Sequence, residues 1–229
     1  MRLTVRQRYA FGNDRELVGD RLVRPEAWDA LRLASDGPFA ASANRKELEA
    51  RVDADARLRH RAADIDEALC ALGVDTLASY GAGAGLVEAA LARLRPEREM
   101  SLSEYAPGTV ERLSLLFPEA RVERMDLLRD PPLHAAAHLF HRIDTDLDDA
   151  QWRDAFRRFA AERIVLVAGD VLDLRSAYVQ LRRRLQRGTS DAGWLRTRSA
   201  FEGLWDHSHR AAPRSFGDHF GWVLEPLDG

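Results

Sequence analysis

The sequence predicts a doubly wound α/β protein on a mostly parallel sheet, preceded by a helical segment. Three observations predict it. Beyond Gly73, short apolar runs alternate with helical segments of roughly ten residues, the pattern of βαβ units. Arg163 to Ala168 is the most apolar of these runs, as expected of a strand covered on both faces of a parallel sheet. The first run ends in alternating glycines, Gly81, Gly83 and Gly85, where a strand passes into a helix.

Each element has its own local reason. Residues 1–72 read as helical. Pro25 after Arg24 marks a helix start, Asp36-Gly37-Pro38 a break, and Asn44 caps a helix through about Ala50, with Glu47 as its capping-box partner. From Ala54 to Leu72 the apolar residues Leu58, Ala62, Ile65, Leu69 and Leu72 recur at helical spacing, and Gly73 ends the run. Strands are expected at Val74–Tyr80, Met100–Glu104, Val122–Leu127, Ala137–Ile143, Arg163–Ala168 and Trp222–Glu225. Helices are expected at Leu86–Leu94, Thr109–Phe117, Asp149–Ala161 and Leu174–Leu185.

Composition narrows the class. The chain has 229 residues, 45% hydrophobic and 31% charged, and a formal net charge of −3, which excludes a globally basic nucleic-acid binder. All but one of the 34 basic residues are arginine, so the run Arg182-Arg183-Arg184 with Arg187 reads as a solvated helix end. A lone cysteine, Cys70, excludes a disulfide framework and reads as a buried helix residue. No membrane span or signal peptide is expected, which makes the cytoplasm the default location. His207 and His209 share a face only on a strand, and no metal is expected.

In a doubly wound sheet, ligands sit beyond the carboxyl ends of the strands. The first strand leads into Ser79-Tyr80-Gly81-Ala82-Gly83-Ala84-Gly85, where backbone can approach a ligand closely and the following helix presents free N–H groups. The spacing is G-x-G-x-G; Leu86 stands where a dinucleotide fingerprint has its third glycine, which argues against a nicotinamide-dependent oxidoreductase. The second strand ends at Glu104, placed to accept from ribose hydroxyls. The third ends at Asp126-Leu127, where a carboxylate and a backbone N–H can read an adenine edge.

This ordered set resembles the class I S-adenosylmethionine-dependent methyltransferases. The residues that carry it are Gly81-Ala82-Gly83-Ala84-Gly85, Glu104-Tyr105-Ala106-Pro107 and Arg124-Met125-Asp126-Leu127, with Leu139 to Asp144 similar to the segment after the fourth strand. It covers roughly residues 73 to 227. The resemblance implies a Rossmann-like, seven-stranded core over residues 73–229 and a helical cap or lid over residues 1–72. It implies S-adenosylmethionine as cofactor, S-adenosylhomocysteine as product, and methyl transfer to oxygen or nitrogen of a small molecule. No nucleic acid or membrane partner is expected, and the chain is read as a monomer or homodimer. The implied cofactor residues are Ser79, Gly81, Ala82, Gly83, Glu104, Tyr105, Asp126, Leu127 and His141. His141 is the candidate general base, and Asp144 a second polar group facing substrate or a loop cap.

Two positions depart from the family. Ser79 stands where an acidic residue is usual, and His138 where many members carry aspartate. Ser79 supports the alternative reading, a catalytically inactive scaffold of the same fold. Tyr105 is placed to cover an adenine face, and Tyr80 either to approach a sulfonium or to pack beside the loop. As a lid, the N-terminal segment would contribute Tyr9, Phe11, Trp28 and Phe39 to a substrate chamber.

Overall fold

The computed structural model describes residues 1–10, 24–34 and 39–227. Its elements in chain order are β1 (Thr4–Ala10), α1 (Pro25–Arg32), α2 (Arg45–Ala54), α3 (Ala56–Ala71), β2 (Thr76–Tyr80), α4 (Leu86–Leu94), β3 (Glu99–Glu104), α5 (Pro107–Leu116), β4 (Arg121–Arg124), β5 (Ala137–His141), α6 (Asp149–Arg158), β6 (Ile164–Val167), α7 (Leu174–Leu185), β7 (Thr189–Arg196), α8 (Arg198–Trp205), β8 (His209–Phe216) and β9 (His219–Pro226).

A seven-stranded sheet in the order β4-β3-β2-β5-β6-β9-β8 forms the core. Strands β2 to β6 pair in parallel, whereas β9 runs antiparallel to both β6 and β8. The order reverses between β2 and β5, so the switch point lies beside the glycine loop. One face of the sheet is covered by α2, α3, α4 and α5, through Leu48, Ile65, Leu91 and Leu113. The other is covered by α6 and α8, through Trp152, Phe156, Phe201 and Trp205.

The helix signals work as the sequence predicts. Asn44 Oδ1 accepts from Glu47 N at 3.0 Å, although the Glu47 carboxylate closes on Ala43 N rather than on Asn44. Gly73 ends α3 at φ 64°. Strands β4 and β5 stop earlier than expected. Arg142 turns the chain with φ 61°, and Asp126 lies in the turn beyond β4.

Two expectations are corrected. The first 72 residues are not all helical: residues 4–10 form β1, which pairs antiparallel with β7 in a separate two-stranded ribbon, Thr4 opposite Arg196. Cys70 is exposed, because it lies on the solvent side of α3 while Ile65 and Leu69 face the core. The break at residues 36–38 lies outside the described residues. No described helix is long and apolar enough to cross a membrane.

The ribbon braces the loop that follows β5. Arg196 is fully buried, and its guanidinium donates to Asp149 Oδ1 at 2.8 Å and to the carbonyls of Asp144 and Leu147. Trp194 N donates to Thr145 O at 2.8 Å. A Cβ on Gly193 would lie 2.6 Å from that same carbonyl, which is why β7 carries glycine there. Residues 144–149 are thereby fixed at the carboxyl edge of the sheet.

Candidate active site

The turn from β2 to α4 is built on left-handed glycines. Gly81, Gly83 and Gly85 have φ of 64°, 59° and 72°, a region that other residues enter at a cost of about 1–2 kcal/mol. The loop is also tightly surrounded: a Cβ on Gly81 would lie 2.6 Å from Ile143 Cγ2.

Glu104, at the end of β3, is buried and joins two segments. Its Oε2 accepts from Gly83 N at 2.9 Å and its Oε1 from Tyr105 N at 2.7 Å. Each carboxylate oxygen retains a further lone pair for a ligand hydroxyl. Ala82 N donates to Ser103 O at 3.1 Å, which pins the loop to the same strand. Tyr105 is half-buried, and its carbonyl accepts from Arg124. Asp126 Oδ1 accepts from Leu128 N at 2.9 Å and so organises its own turn; Leu127, beside it, packs against the aromatic core.

The residue that departs from the family pattern has a partner. Ser79 Oγ donates to Glu88 Oε1 at 2.6 Å, and both side chains are buried. Burial pushes the Glu88 carboxyl up, the Ser79 hydrogen bond opposes that, and Glu104 raises it further. A carboxylate from the first turn of α4 thus lies at 2.6 Å from the Ser79 hydroxyl. Tyr80 points to the opposite face of the sheet. Its hydroxyl accepts from Leu133 N and contacts His138 Nδ1 at 2.9 Å, while His138 Nε2 contacts Glu162 at 3.0 Å. Position 138 is therefore part of a buried polar chain under the aromatic core.

His141 lies at the end of β5. Its Nε2 is buried and has no hydrogen-bond partner. Burial holds the imidazole well below its ordinary pKa, and Arg61, Arg142 and His219 push the same way. It is neutral and poorly suited to holding a proton. Asp144 acts as a loop cap: its Oδ1 accepts from Gly169 N at 2.6 Å, and burial raises its carboxyl to about 6. Two residues on, Asp146 accepts from Thr145 Oγ1 at 3.1 Å. Desolvation, with Asp144 and Glu104 nearby, pushes Asp146 up to about 7.

Helix α1 lies over this edge. Asp29 Oδ2 accepts from Gly108 N at 2.9 Å, and its Oδ1 from Thr109 N and Oγ1 at 2.7 and 2.8 Å, at the start of α5. Arg32 reaches the glycine loop: a Cβ on Gly83 would lie 2.5 Å from its Nη2. Trp28 and Phe39 flank that guanidinium at 5.3 and 5.8 Å. Of the expected aromatic chamber, the Tyr9 side chain and Phe11 lie outside the described residues. His209 is occupied by Ser208 and the carbonyls of Phe159 and Glu162.

Sequence reasoning missed Arg32, Glu88 and Asp146. Glu88 leaves a trace, an acid among the buried positions of the apolar helix LVEAALARL, but an acid in a first turn also suits the helix dipole. Arg32 and Asp146 carry no such signal, because only the tertiary fold brings them to the glycine loop.

The same architecture occurs in solved structures. Human N-acetylserotonin methyltransferase, solved with S-adenosylmethionine, superposes with a TM-score of 0.62 at 16% identity, over 94% of this chain and 64% of that one. The mitomycin 7-O-methyltransferase MmcR gives 0.57 at 19% identity, over 92% and 74%. NcsB1, an O-methyltransferase of neocarzinostatin biosynthesis solved with S-adenosylhomocysteine and 1,4-dihydroxy-2-naphthoic acid, gives 0.53 at 18%, over 68% and 50%. The chain therefore spans less than two thirds of the length of the first of these. No protein-family model matches the chain, and no curated protein matches it by sequence. The chain has the fold of the class I S-adenosylmethionine-dependent methyltransferases.

Proposed function

We propose that the protein is an S-adenosylmethionine-dependent methyltransferase acting on oxygen or nitrogen of a small molecule. The observation that carries this is Glu104, whose carboxylate is buried at the end of β3 and tied to Gly83 N. A buried carboxylate against a loop of left-handed glycines supports the reading of Glu104 as the acceptor for a ribose diol. The solved relatives named above, O-methyltransferases among them, favour oxygen.

The residues fit the cofactor chemically. Glu88, Glu104 and Asp146 all act electrostatically on Arg32 beside the glycine loop, an acidic setting suited to a ligand with cationic groups. In the proposed roles Glu104 accepts from the ribose, Asp126 and the N–H of Leu127 read the adenine, Tyr105 covers it, and Gly81, Ala82 and Gly83 line the methionine end. Ser79 acts through Glu88, and His141 shapes the far wall as a neutral group. When bound, the cofactor supplies an electrophilic methyl carbon.

This chain's contribution to the reaction is positional and acid–base. The fixed loop 144–149 aligns the acceptor, and α1 excludes water from the edge. Asp146, with a pKa of about 7, takes the proton of an acceptor hydroxyl as it becomes nucleophilic. Glu104→Gln tests the assignment in a calorimetric titration with S-adenosylhomocysteine. We expect at least a tenfold loss of affinity in a variant that unfolds at the wild-type temperature. Unchanged affinity overturns the placement of the ribose at Glu104.

A further inference from the structure

Helix α7 inverts the usual amphipathic pattern. Its inward face is polar: Ser176 and Gln180 are buried, and Gln180 Oε1 accepts from Arg8 N of β1 at 2.7 Å. Its outward face is apolar. Leu174, Tyr178, Leu181 and Leu185 are 92%, 67%, 58% and 81% exposed. They recur at intervals of four, three and four residues, which sets them in one continuous stripe along the helix. A contiguous stripe of large exposed side chains marks a contact surface.

The flanking charges identify what covers it. Arg175, Arg182, Arg184 and Arg187 are exposed, and among the described residues no carboxylate pairs with any of them. The acid at the start of the helix, Asp173, is engaged in capping it, its Oδ1 accepting from Ser176 N at 2.7 Å. The surface is therefore apolar along its crest and cationic along its margins, in a chain whose formal net charge is −3. A second copy of α7 fits poorly. Paired antiparallel along the stripe, Leu174 meets Leu185 but Arg175 meets Arg182; paired parallel, the two arginine-rich ends lie together. Side chains this exposed stand on a ridge, which a deformable bilayer surface accepts without a complementary pocket. Tyrosine and arginine suit the headgroup level, and leucine the acyl boundary.

We propose that α7 docks the protein on an anionic lipid surface, with Leu174, Tyr178, Leu181 and Leu185 entering the interface and the four arginines meeting lipid phosphates. The sequence alone leads to a solvated helix end and no membrane partner. Only the fold shows that the arginine run borders an outward apolar stripe. The proposal is independent of the cofactor reading.

Sedimentation of the whole chain with large unilamellar vesicles tests it. Vesicles of phosphatidylglycerol and phosphatidylcholine in equal parts should bind the wild type at least about tenfold more tightly than phosphatidylcholine alone, and raised salt should weaken that binding. Leu181→Glu, and Arg182→Gln combined with Arg184→Gln, should each lower binding to the anionic vesicles at least about tenfold. These positions are exposed, so thermal melts matching the wild type should show that both variants are folded. No binding to the anionic vesicles, the result if the face belongs to an acidic protein partner, overturns the proposal. Equal binding to both kinds of vesicle, or wild-type binding by either variant, also overturns it. So does a wild-type dimer in sedimentation equilibrium that Leu181→Glu dissociates, since the stripe would then face a second copy.

Discussion

Ser79 and Glu88 share a buried hydrogen bond of 2.6 Å, between the end of β2 and the first turn of α4. The pair joins the two elements that flank the glycine loop. Glu88→Gln keeps the bond and the volume but removes the charge. Relief of a buried carboxylate should leave thermal stability unchanged or slightly higher, while affinity for S-adenosylhomocysteine falls about tenfold, the worth of ~1.4 kcal/mol. Parallel thermal melts and calorimetry check this; unaltered affinity would make the pair purely structural.

Gly81 combines a left-handed backbone with a side-chain neighbour in close contact. Gly81→Ala places a Cβ 2.6 Å from Ile143 Cγ2 at φ 64°. Strain and overpacking together should cost about 2–4 kcal/mol in urea denaturation. Gly73→Ala has the same sign of φ but meets nothing within 4 Å, so it should cost only the backbone share, about 1–2 kcal/mol. Equal losses at the two positions would show that Ile143 adapts.

Arg196 holds the loop that carries Asp144 and Asp146. Arg196→Met removes a fully buried guanidinium, leaving the buried carbonyl of Asp144 and the partly buried Leu147 carbonyl and Asp149 Oδ1 without that donor. A loss of about 3–5 kcal/mol is expected in equilibrium unfolding, because removing one partner exposes the other's desolvation cost. A loss below about 1 kcal/mol would mean that the ribbon of β1 and β7 holds the loop without it.

Asp144 and Asp146 have folded-state pKa values of about 6 and about 7, above the ordinary aspartate range. Between about pH 4 and 7 these two carboxyls hold more protons in the folded protein than in the unfolded chain, so their contribution to stability falls as pH rises through that window. Asp146→Asn should flatten the upper part of this decline in melts from pH 5 to 8. For catalysis the dependence runs the other way. A base must be ionised, so kcat/KM should drop about tenfold per unit below pH 7 and lose that limb in Asp146→Asn. A limb that survives the substitution would move the base elsewhere.

Much of this was legible in the sequence because local rules and tertiary packing agree there. Helices α4 and α7 fall at the bounds that the periodicity predicts. Glycines 81, 83 and 85 follow the end of β2 and Glu104 closes β3, as the pattern requires, whereas Asp126 falls in the turn two residues beyond β4. The misses have physical causes. Strands β1 and β7 are polar and gain their shape only by pairing with each other. Strand β8 carries Pro213, Arg210 and Arg214, which suit an edge and hide a strand signal. For His141 the lowered pKa comes first from burial, which residue type does not reveal, and then from Arg61, Arg142 and His219. Asp146 has no marker in its own segment, because the burial and the nearby Asp144 and Glu104 that raise its carboxyl to about 7 arise only in the folded chain.

If the glycine loop and Glu104 form a cofactor pocket, the wild-type protein responds to the cofactor in a thermal shift. S-adenosylmethionine and S-adenosylhomocysteine are compared with NAD. A specific ligand at a hundred times its Kd adds about 2.7 kcal/mol, or roughly 5–10 °C at this size. A rise of that order is expected with either sulfur nucleoside and none with NAD. No rise at millimolar S-adenosylhomocysteine, or a rise with NAD alone, would contradict it.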